Sequence, residues 1–344
     1  MKINWQPIED CIRHAHRIVL TTHVGPDGDG IGSEIALYHY LKRMGKTVHI
    51  MNPSVTPREY AFLDPETVIR MYDPEEHLSL IHNADLFIIL DIGSLSRLRE
   101  MGEDIETSRG KTLCIDHHPN TGQRFDCEII DPEAAATGIM IYELMQHMDG
   151  DAIDFSIAQA LYTALMTDTG SFRFNNTTPQ THQVAKELLE YGVKPYLVYR
   201  NVYESYSIER MKLLGKIIEN LHFSDDRLIA YFPVTLEMQK AVGAQPEDIE
   251  GFSDFIRSLG DIEVAVMFHE VAPQKTRVNF RSKGKVVINS VAKHFDGGGH
   301  KFAAGAIINK PYQEAMPMVI QEVKRIVEEH FADQPYEEAE RAIS

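Results

Sequence analysis

Side chains of the kind that bind metal ions stand at the ends of several short apolar runs, and this pattern constrains the fold most. They are His23, Asp27 and Asp29 after the first run, Asp91 after another, and Asp116, His117 and His118 after a third. Continuous apolar runs of this length are typical of buried parallel strands. In an open α/β sheet, ligands bind at the carboxyl ends of such strands. The pattern therefore predicts a ligand site at one edge of a parallel sheet.

The order of predicted elements supports the same fold class. Strands predicted at 17–22, 47–51, 86–90 and 112–115 are separated by helical patterns such as 33–44. Strands that alternate with helices predict an α/β fold with a doubly wound, mainly parallel sheet.

A second domain is expected because strand patterns resume after a mainly helical block. Residues 134–203 have helical spacing, and strands are predicted again at 228–233, 262–269 and 276–281. A chain of 344 residues is also long for one core. The predicted organisation is a first domain over 1–190, a helical linker over 191–220 and a smaller α/β domain over 221–344.

Charge and composition limit the partners. The formal net charge of -17 disfavours tight binding to long nucleic acid, which depends on neutralising phosphates. Residues 271–301 differ, since seven lysines and arginines stand there against one acidic residue. Such a segment suits a small anionic ligand, although charge alone equally fits a solvated strand face.

The three cysteines form no C-x-x-C pair, which argues against a disulfide framework and a zinc ribbon. No apolar stretch approaches the ~20 residues that span a bilayer, and no signal core is visible at the start. We therefore expect a cytoplasmic protein that does not bind membranes. A homodimer is left open.

The polar residues at the strand ends form a candidate metal site. The set comprises His23, Asp27, Asp29, Asp91, His117 and Asp168. Four clustered aspartates repel one another unless cations are present, and two divalent ions would balance their charge. Carboxylates and imidazoles without thiolates suit Mn²⁺ best, or Mg²⁺, with Co²⁺ or Zn²⁺ as substitutes. Two such ions can activate a water and clamp the oxygens of a displacement at phosphorus.

These motifs resemble the signatures of the DHH phosphoesterases. The four N-terminal signatures are His23-x-x-x-Asp27-x-Asp29, Asp91, Asp116-His117-His118 and Thr167-Asp168-Thr169-Gly170. Arg281-Ser282 and Gly297-Gly298-Gly299-His300 resemble the substrate-binding elements of the associated C-terminal domain. Length and layout are similar to the nanoRNase branch, whereas RecJ exonucleases and membrane-attached cyclic-dinucleotide phosphodiesterases carry further domains.

The resemblance implies a role for each residue. One metal would be held by His23, Asp27 and Asp91, and the other by Asp29, Asp91, His117 and Asp168. Asp116 and His118 would be catalytic: Asp116 orients a neighbouring ligand, and His118 faces the scissile phosphate. The substrate would be bound by Arg281, Ser282, Gly298, Gly299 and His300.

The function implied by the resemblance is hydrolysis of short single-stranded RNA or DNA oligonucleotides to mononucleotides. The same site would convert 3′-phosphoadenosine 5′-phosphate (pAp) to AMP and phosphate. Alternative enzymatic hypotheses are a cyclic- or linear-dinucleotide phosphodiesterase and a pyrophosphatase or exopolyphosphatase. A hypothesis of another class is a non-catalytic, nucleotide-binding regulatory module.

Overall fold

The computed structural model describes residues 3–119, 122 and 124–333, and for residues 300 and 333 it describes the backbone alone. The acidic tail beyond residue 333, which the sequence predicts to fray, lies outside the described residues. The chain divides into two compact units, called here the first unit (up to Ser205) and the second unit (from Tyr206).

The first unit contains a six-stranded sheet in the order β3-β2-β1-β4-β5-β6. The strands are β1 (Arg17–Thr21), β2 (Thr47–Asn52), β3 (Ile69–Met71), β4 (Leu86–Leu90), β5 (Lys111–Asp116) and β6 (Cys127–Ile130). All neighbouring pairs are parallel. The predicted doubly wound parallel sheet is confirmed, and its order reverses between β1 and β4, where such folds bind ligands.

Helices cover both faces of this sheet. They are α1 (Gln6–His14), α2 (Gly28–Arg43), α3 (Pro74–Asn83), α4 (Glu100–Thr107), α5 (Thr137–Asp149), α6 (Phe155–Asp168), α7 (Pro179–Glu190) and α8 (Pro195–Tyr203). Every residue of β4 is buried, with Leu86, Ile88 and Leu90 in one apolar core and Phe87 and Ile89 in the other. The side chains alternate between the two faces, so both cores hold β4 in place.

Helix α2 begins earlier than the pattern predicts. Its predicted start is Ser33, but the helix begins at Gly28 because Asp27 caps it by accepting hydrogen bonds from the N–H groups of Asp29 and Gly30. The glycines of this turn serve close packing: a Cβ on Gly32 would lie 2.4 Å from the carbonyl oxygen of Ala160 in α6. The motif that carries Asp27 and Asp29 is therefore the rigid first turn of a helix.

Two of the three cysteines lie next to each other in the structure. The sulfur atoms of Cys11 in α1 and Cys127 in β6 are neighbours, and Cys114 is buried. The two cysteines are separated by 116 residues. Their spacing gave no signal because only the packing of α1 against the edge strand brings them together.

The second unit contains a mixed sheet in the order β11-β12-β10-β9-β8-β7. Its strands are β7 (His222–Phe223), β8 (Ile229–Val234), β9 (Val264–Ala272), β10 (Lys275–Ser282), β11 (Gly298–His300) and β12 (Ala303–Ile308). Its helices are α9 (Ile208–Glu219), α10 (Leu236–Val242), α11 (Phe252–Arg257), α12 (Asn289–His294) and α13 (Tyr312–Asp333). A second α/β domain is thus confirmed. No helix of the described residues is both long and apolar enough to cross a membrane.

Candidate metal centre

The predicted ligands of the first unit lie at the carboxyl edge of the sheet. His23 follows β1, Asp91 follows β4, His117 follows β5, and Asp29 lies in the first turn of α2. Asp168 is the last residue of α6. Asp29 and Asp91 are each only 1% exposed, which makes their carboxylates costly to leave without a counter-charge.

One group of ligand atoms surrounds His23. Its Nε2 lies 3.8 Å from Oδ2 of Asp27 and 3.7 Å from Oδ2 of Asp91. Both separations are too long for a good hydrogen bond. They suit atoms that share an ion, because ligands about 2.0–2.3 Å from one centre lie within about 4.5 Å of each other.

A second group surrounds His117. Its Nε2 lies 3.6 Å from both Oδ1 of Asp91 and Oδ2 of Asp168, and 3.8 Å from Oδ2 of Asp29. The two oxygens of Asp91 thus face different groups, Oδ2 the His23 group and Oδ1 the His117 group. A carboxylate in this position can bridge two ions.

Backbone carbonyls orient both imidazoles. Nδ1 of His23 lies 2.9 Å from the carbonyl oxygen of Val24, and Nδ1 of His117 lies 3.2 Å from that of Ala134. A hydrogen bond donated by Nδ1 fixes the tautomer in which Nε2 carries a lone pair. In both residues that Nε2 is the atom directed at the carboxylates.

The electrostatics of the centre call for cations. Burial, together with the charges of Asp91, Asp168 and Asp27, raises the pKa of Asp29 well above its usual range. Burial is also the largest cause that raises the pKa of Asp168 to about 7. Carboxylates that resist ionising without a counter-charge, beside imidazoles with Nε2 turned inward, form a donor set that fits divalent metal ions.

Asp116 and His118 form a pair beside these groups. Oδ1 of Asp116 lies 2.8 Å from Nδ1 of His118 and 2.9 Å from its backbone nitrogen, and the other carboxylate oxygen accepts the N–H of Gly93. Burial lowers the pKa of His118, but hydrogen bonds to Asp116 and Asp91 outweigh burial and raise it to about 10. Asp116 therefore fixes the ring and favours its protonated form.

The sequence interpretation missed the contacts that the start of α5 makes with the predicted ligands. The N–H groups of Thr137 and Gly138 donate to the two oxygens of Asp29 at 2.6 and 2.8 Å. The Thr137 hydroxyl lies 3.3 Å from Oδ1 of Asp91 and is fully buried. These residues are about a hundred positions from Asp29 in the chain, so no local spacing could have indicated them.

Replacing Thr137 with valine should weaken metal binding. Valine keeps the shape but removes the hydroxyl that donates to Asp91, and the loss of such a supporting hydrogen bond typically reduces metal affinity by about 10- to 100-fold. Calorimetric titration with Mn²⁺ measures the change. Thr137→Ser, which retains the hydroxyl, should bind within a few-fold of wild type, and equal affinities for all three proteins would contradict this role.

In the second unit, the predicted substrate residues lie on adjacent strands. Arg281 of β10 pairs with Ala303 of β12, which pairs in turn with His300 of β11. The His300 side chain lies outside what the structure describes. Two residues further along the same pair of strands, Gly298 pairs with Gly305, so neither β11 nor β12 has a side chain at that position.

The structure shows what fixes two of these residues: the backbone conformation of Gly299 and the hydrogen bond of the Ser282 hydroxyl. Gly299 has φ 136°, and a Cβ there would lie 2.6 Å from the carbonyl oxygen of Ala303, so only glycine fits. Ser282 is 3% exposed, and its hydroxyl donates to the buried carboxylate of Glu263 at 2.9 Å. In this structure Ser282 shapes the end of β10, because Glu263 also accepts the N–H groups of Lys285 and Val286.

The chain matches known families over both units. Residues 17–165 match the model of the DHH family, N-terminal domain, and residues 230–329 match the DHHA1 domain. A bifunctional oligoribonuclease and PAP phosphatase NrnA from Thermus thermophilus is 34% identical over 90% of both chains. The chain belongs to the DHH family.

Further similar proteins support the assignment of this chain to the DHH family. A protein of the same name from Bacillus subtilis is 28% identical over 91% of this chain and 95% of its own length. Among solved structures, an exopolyphosphatase-related protein from Bacteroides fragilis has a TM-score of 0.89 and 30% identity, and the match covers 93% of this chain and 95% of that chain. The predicted DHH resemblance is confirmed.

Proposed function

We propose that this DHH-family protein is a metal-dependent phosphoesterase that hydrolyses short oligoribonucleotides to mononucleotides and pAp to AMP and phosphate. The observation that carries the proposal is the shared carboxylate of Asp91, which faces a ligand group on each side. Relatives from Thermus thermophilus and Bacillus subtilis, named as oligoribonuclease and PAP phosphatase, support the substrate class.

The proposed ligands are those with which the structure surrounds Asp91: His23 and Asp27 on one side, Asp29, His117 and Asp168 on the other. Held by these residues, two divalent ions would lower the pKa of a water and neutralise the phosphate oxygens. We propose Mn²⁺ as the ion, because the donors are carboxylates and imidazoles with no thiolate.

The protein's own groups would then direct the displacement. The water oxygen loses a proton to solvent and forms a bond to phosphorus, the bond from phosphorus to the leaving oxygen breaks, and the leaving oxygen takes up a proton from solvent. His118, held by Asp116, is placed to stabilise negative charge on the phosphoryl oxygens. Arg281, Gly298, Gly299 and His300 would bind the part of the substrate away from the reacting phosphate.

We expect substrate length to limit the reaction. The net charge of -17 opposes binding of many phosphates, and the segment 271–301 offers one concentrated basic region. With Mn²⁺, RNA of two to five nucleotides should be degraded faster than a 24-mer at equal concentration, and pAp should yield AMP and phosphate. Separation of the products by chromatography measures each rate.

The same panel distinguishes the alternatives. Pyrophosphate and a cyclic dinucleotide should be poor substrates, and excess chelator should stop all turnover until Mn²⁺ is restored. Full activity in chelator would refute the metal-dependent chemistry. Faster, processive digestion of the 24-mer would instead indicate a long-strand exonuclease.

A further inference from the structure

Arg281 is held by a charged neighbour that the sequence interpretation did not consider. Its Nε donates to Oδ2 of Asp254 at 2.9 Å, and Nη2 of Arg257 lies 3.4 Å from Oδ1 of the same carboxylate. Asp254 thus uses one oxygen for each guanidinium. Asp254 and Arg257 are three residues apart on α11, where such positions share a helix face.

Helix α11 is fixed against the sheet, so the carboxylate has a defined position. Phe252 and Ile256 of α11 are each 1% exposed and belong to one apolar core with Ala265 of β9. Just after the helix, Nζ of Lys283 donates to the carbonyls of Leu259 and Gly260. The end of β10 is therefore tied to α11 through Arg281 and to the loop after the helix through Lys283.

These contacts orient the Arg281 guanidinium and leave part of it available. Nη1 donates to the carbonyl oxygen of Phe280 at 3.0 Å, while Nη2 has no hydrogen-bond partner among the described residues. The side chain is 26% exposed. Its strand neighbour on β12 is Ala303, which leaves space for a ligand beside the guanidinium.

Stability of the fold alone does not explain why an arginine stands at position 257. Its Nε is buried without a hydrogen-bond partner in the described part of the chain, which costs free energy. Nη1 reaches the carbonyl oxygen of Ser282 at 3.5 Å, so Arg257 ties Asp254 to the end of β10. The cluster of Arg257, Arg281 and Asp254 carries one net positive charge, which suits a phosphate group.

We infer that Asp254 and Arg257 are positioning residues that present the Nη2 side of Arg281 to a substrate phosphate. This inference rests on the proposed function. It adds a specific dependence: the effect of Asp254 on substrate binding passes through Arg281. Preorganising a long side chain in this way reduces the entropy that binding must otherwise remove.

A double-mutant cycle tests this dependence. Arg281→Ala should lower kcat/KM for pAp by about 10- to 150-fold, mainly through KM, because a charged hydrogen bond is lost. Asp254→Ala should raise KM about 2- to 12-fold, the range expected when one long side chain loses its fixed conformation. The double variant should be no worse than Arg281→Ala, because residues that act as one unit are not additive.

Two further variants separate positioning from simple electrostatics and from folding. Asp254→Asn keeps an acceptor oxygen for Nε of Arg281, so its KM should remain within about threefold of wild type. Glu322→Ala removes the carboxylate of another arginine pair in the same unit, that with Arg325, and should leave KM unchanged. Calorimetric titration of wild type, both single variants and the double variant with AMP, in the presence of Mn²⁺, measures the coupling between Asp254 and Arg281 in binding affinity, without turnover.

The outcomes are distinct. Additive losses in the double variant, or a lower KM for both Asp254→Ala and Asp254→Asn, would overturn the inference. Hydrolysis of bis-p-nitrophenyl phosphate reports on the metal centre separately, since this minimal substrate has no nucleoside to anchor. If the wild-type protein hydrolysed neither pAp nor this minimal substrate in Mn²⁺, the proposed function would fail, while the AMP titrations would still decide the role of Asp254.

Discussion

Asp91→Asn is expected to remove nearly all turnover and to reduce metal content. The two oxygens of Asp91 face the His23 group and the His117 group, so one substitution removes the negative charge that both ions would share. Loss of a supporting hydrogen bond around a metal typically costs 10- to 100-fold. Asp91→Asn should therefore lower kcat/KM for pAp by more than roughly 100-fold. The Mn²⁺ bound by the variant is measured in the same preparation.

Asp85→Asn is the matched control for that experiment. Asp85 lies at the opposite end of β4, where it accepts hydrogen bonds from Arg17. The change in charge and shape is the same, and it should leave activity and metal content unaltered. Asparagine is also tolerated at the φ of 54° that residue 91 adopts, so the backbone should not shift. An active Asp91→Asn protein would contradict a shared ligand.

His118→Ala is expected to lower kcat about 10²- to 10³-fold, the usual cost of removing one group that stabilises negative charge in the transition state. Because its proposed place is beside the reacting phosphate, the loss should be similar for pAp and for bis-p-nitrophenyl phosphate. Steady-state kinetics with both substrates measure it. Arg281→Ala should differ by impairing pAp far more than the minimal substrate.

Metal content decides between two roles for His118. Its Nδ1 lies 3.3 Å from Oδ1 of Asp91, and the ring belongs with Asp91 and His117 to a group that could hold an ion. If it acts on the phosphate, His118→Ala should bind Mn²⁺ as wild type does. Loss of an ion would show that it is a ligand and would refute the proposed role.

The central strands other than β12 could be predicted from the sequence, but β12 and the edge strands could not. β4 is buried along its whole length and therefore has a continuous apolar run. β3 and β11 are three-residue strands, and all of β3 is partly or fully exposed, so no apolar run identifies them. The sequence pattern over 286–295 predicts a helix, and the structure has a shorter one there, Asn289–His294. In that segment Ile288 donates its N–H to Lys301, so part of the apolar pattern belongs to a loop.

The candidate site also has one part that the sequence could predict and another that it could not. His23, Asp27 and Asp29 could be found because they lie close together in the chain, and strand order brings Asp91 and His117 to them. Contacts made by Thr137 with Asp91, and by Asp254 with Arg281, depend on how helices pack on a sheet. A threonine or an aspartate on a helix has no local pattern that indicates such a partner.

The proposed ligands lie on separate segments of the first unit, from His23 to Asp168, and only the complete fold of that unit brings them together. A divalent ion therefore binds the folded first unit and has no equivalent site in the unfolded chain. By mass action, an ion at about 100 times its dissociation constant adds about 2.7 kcal/mol to the free energy of unfolding. We therefore expect metal supply to set the stability of the first unit as well as its chemistry, whereas the proposed ligands all lie outside the second unit.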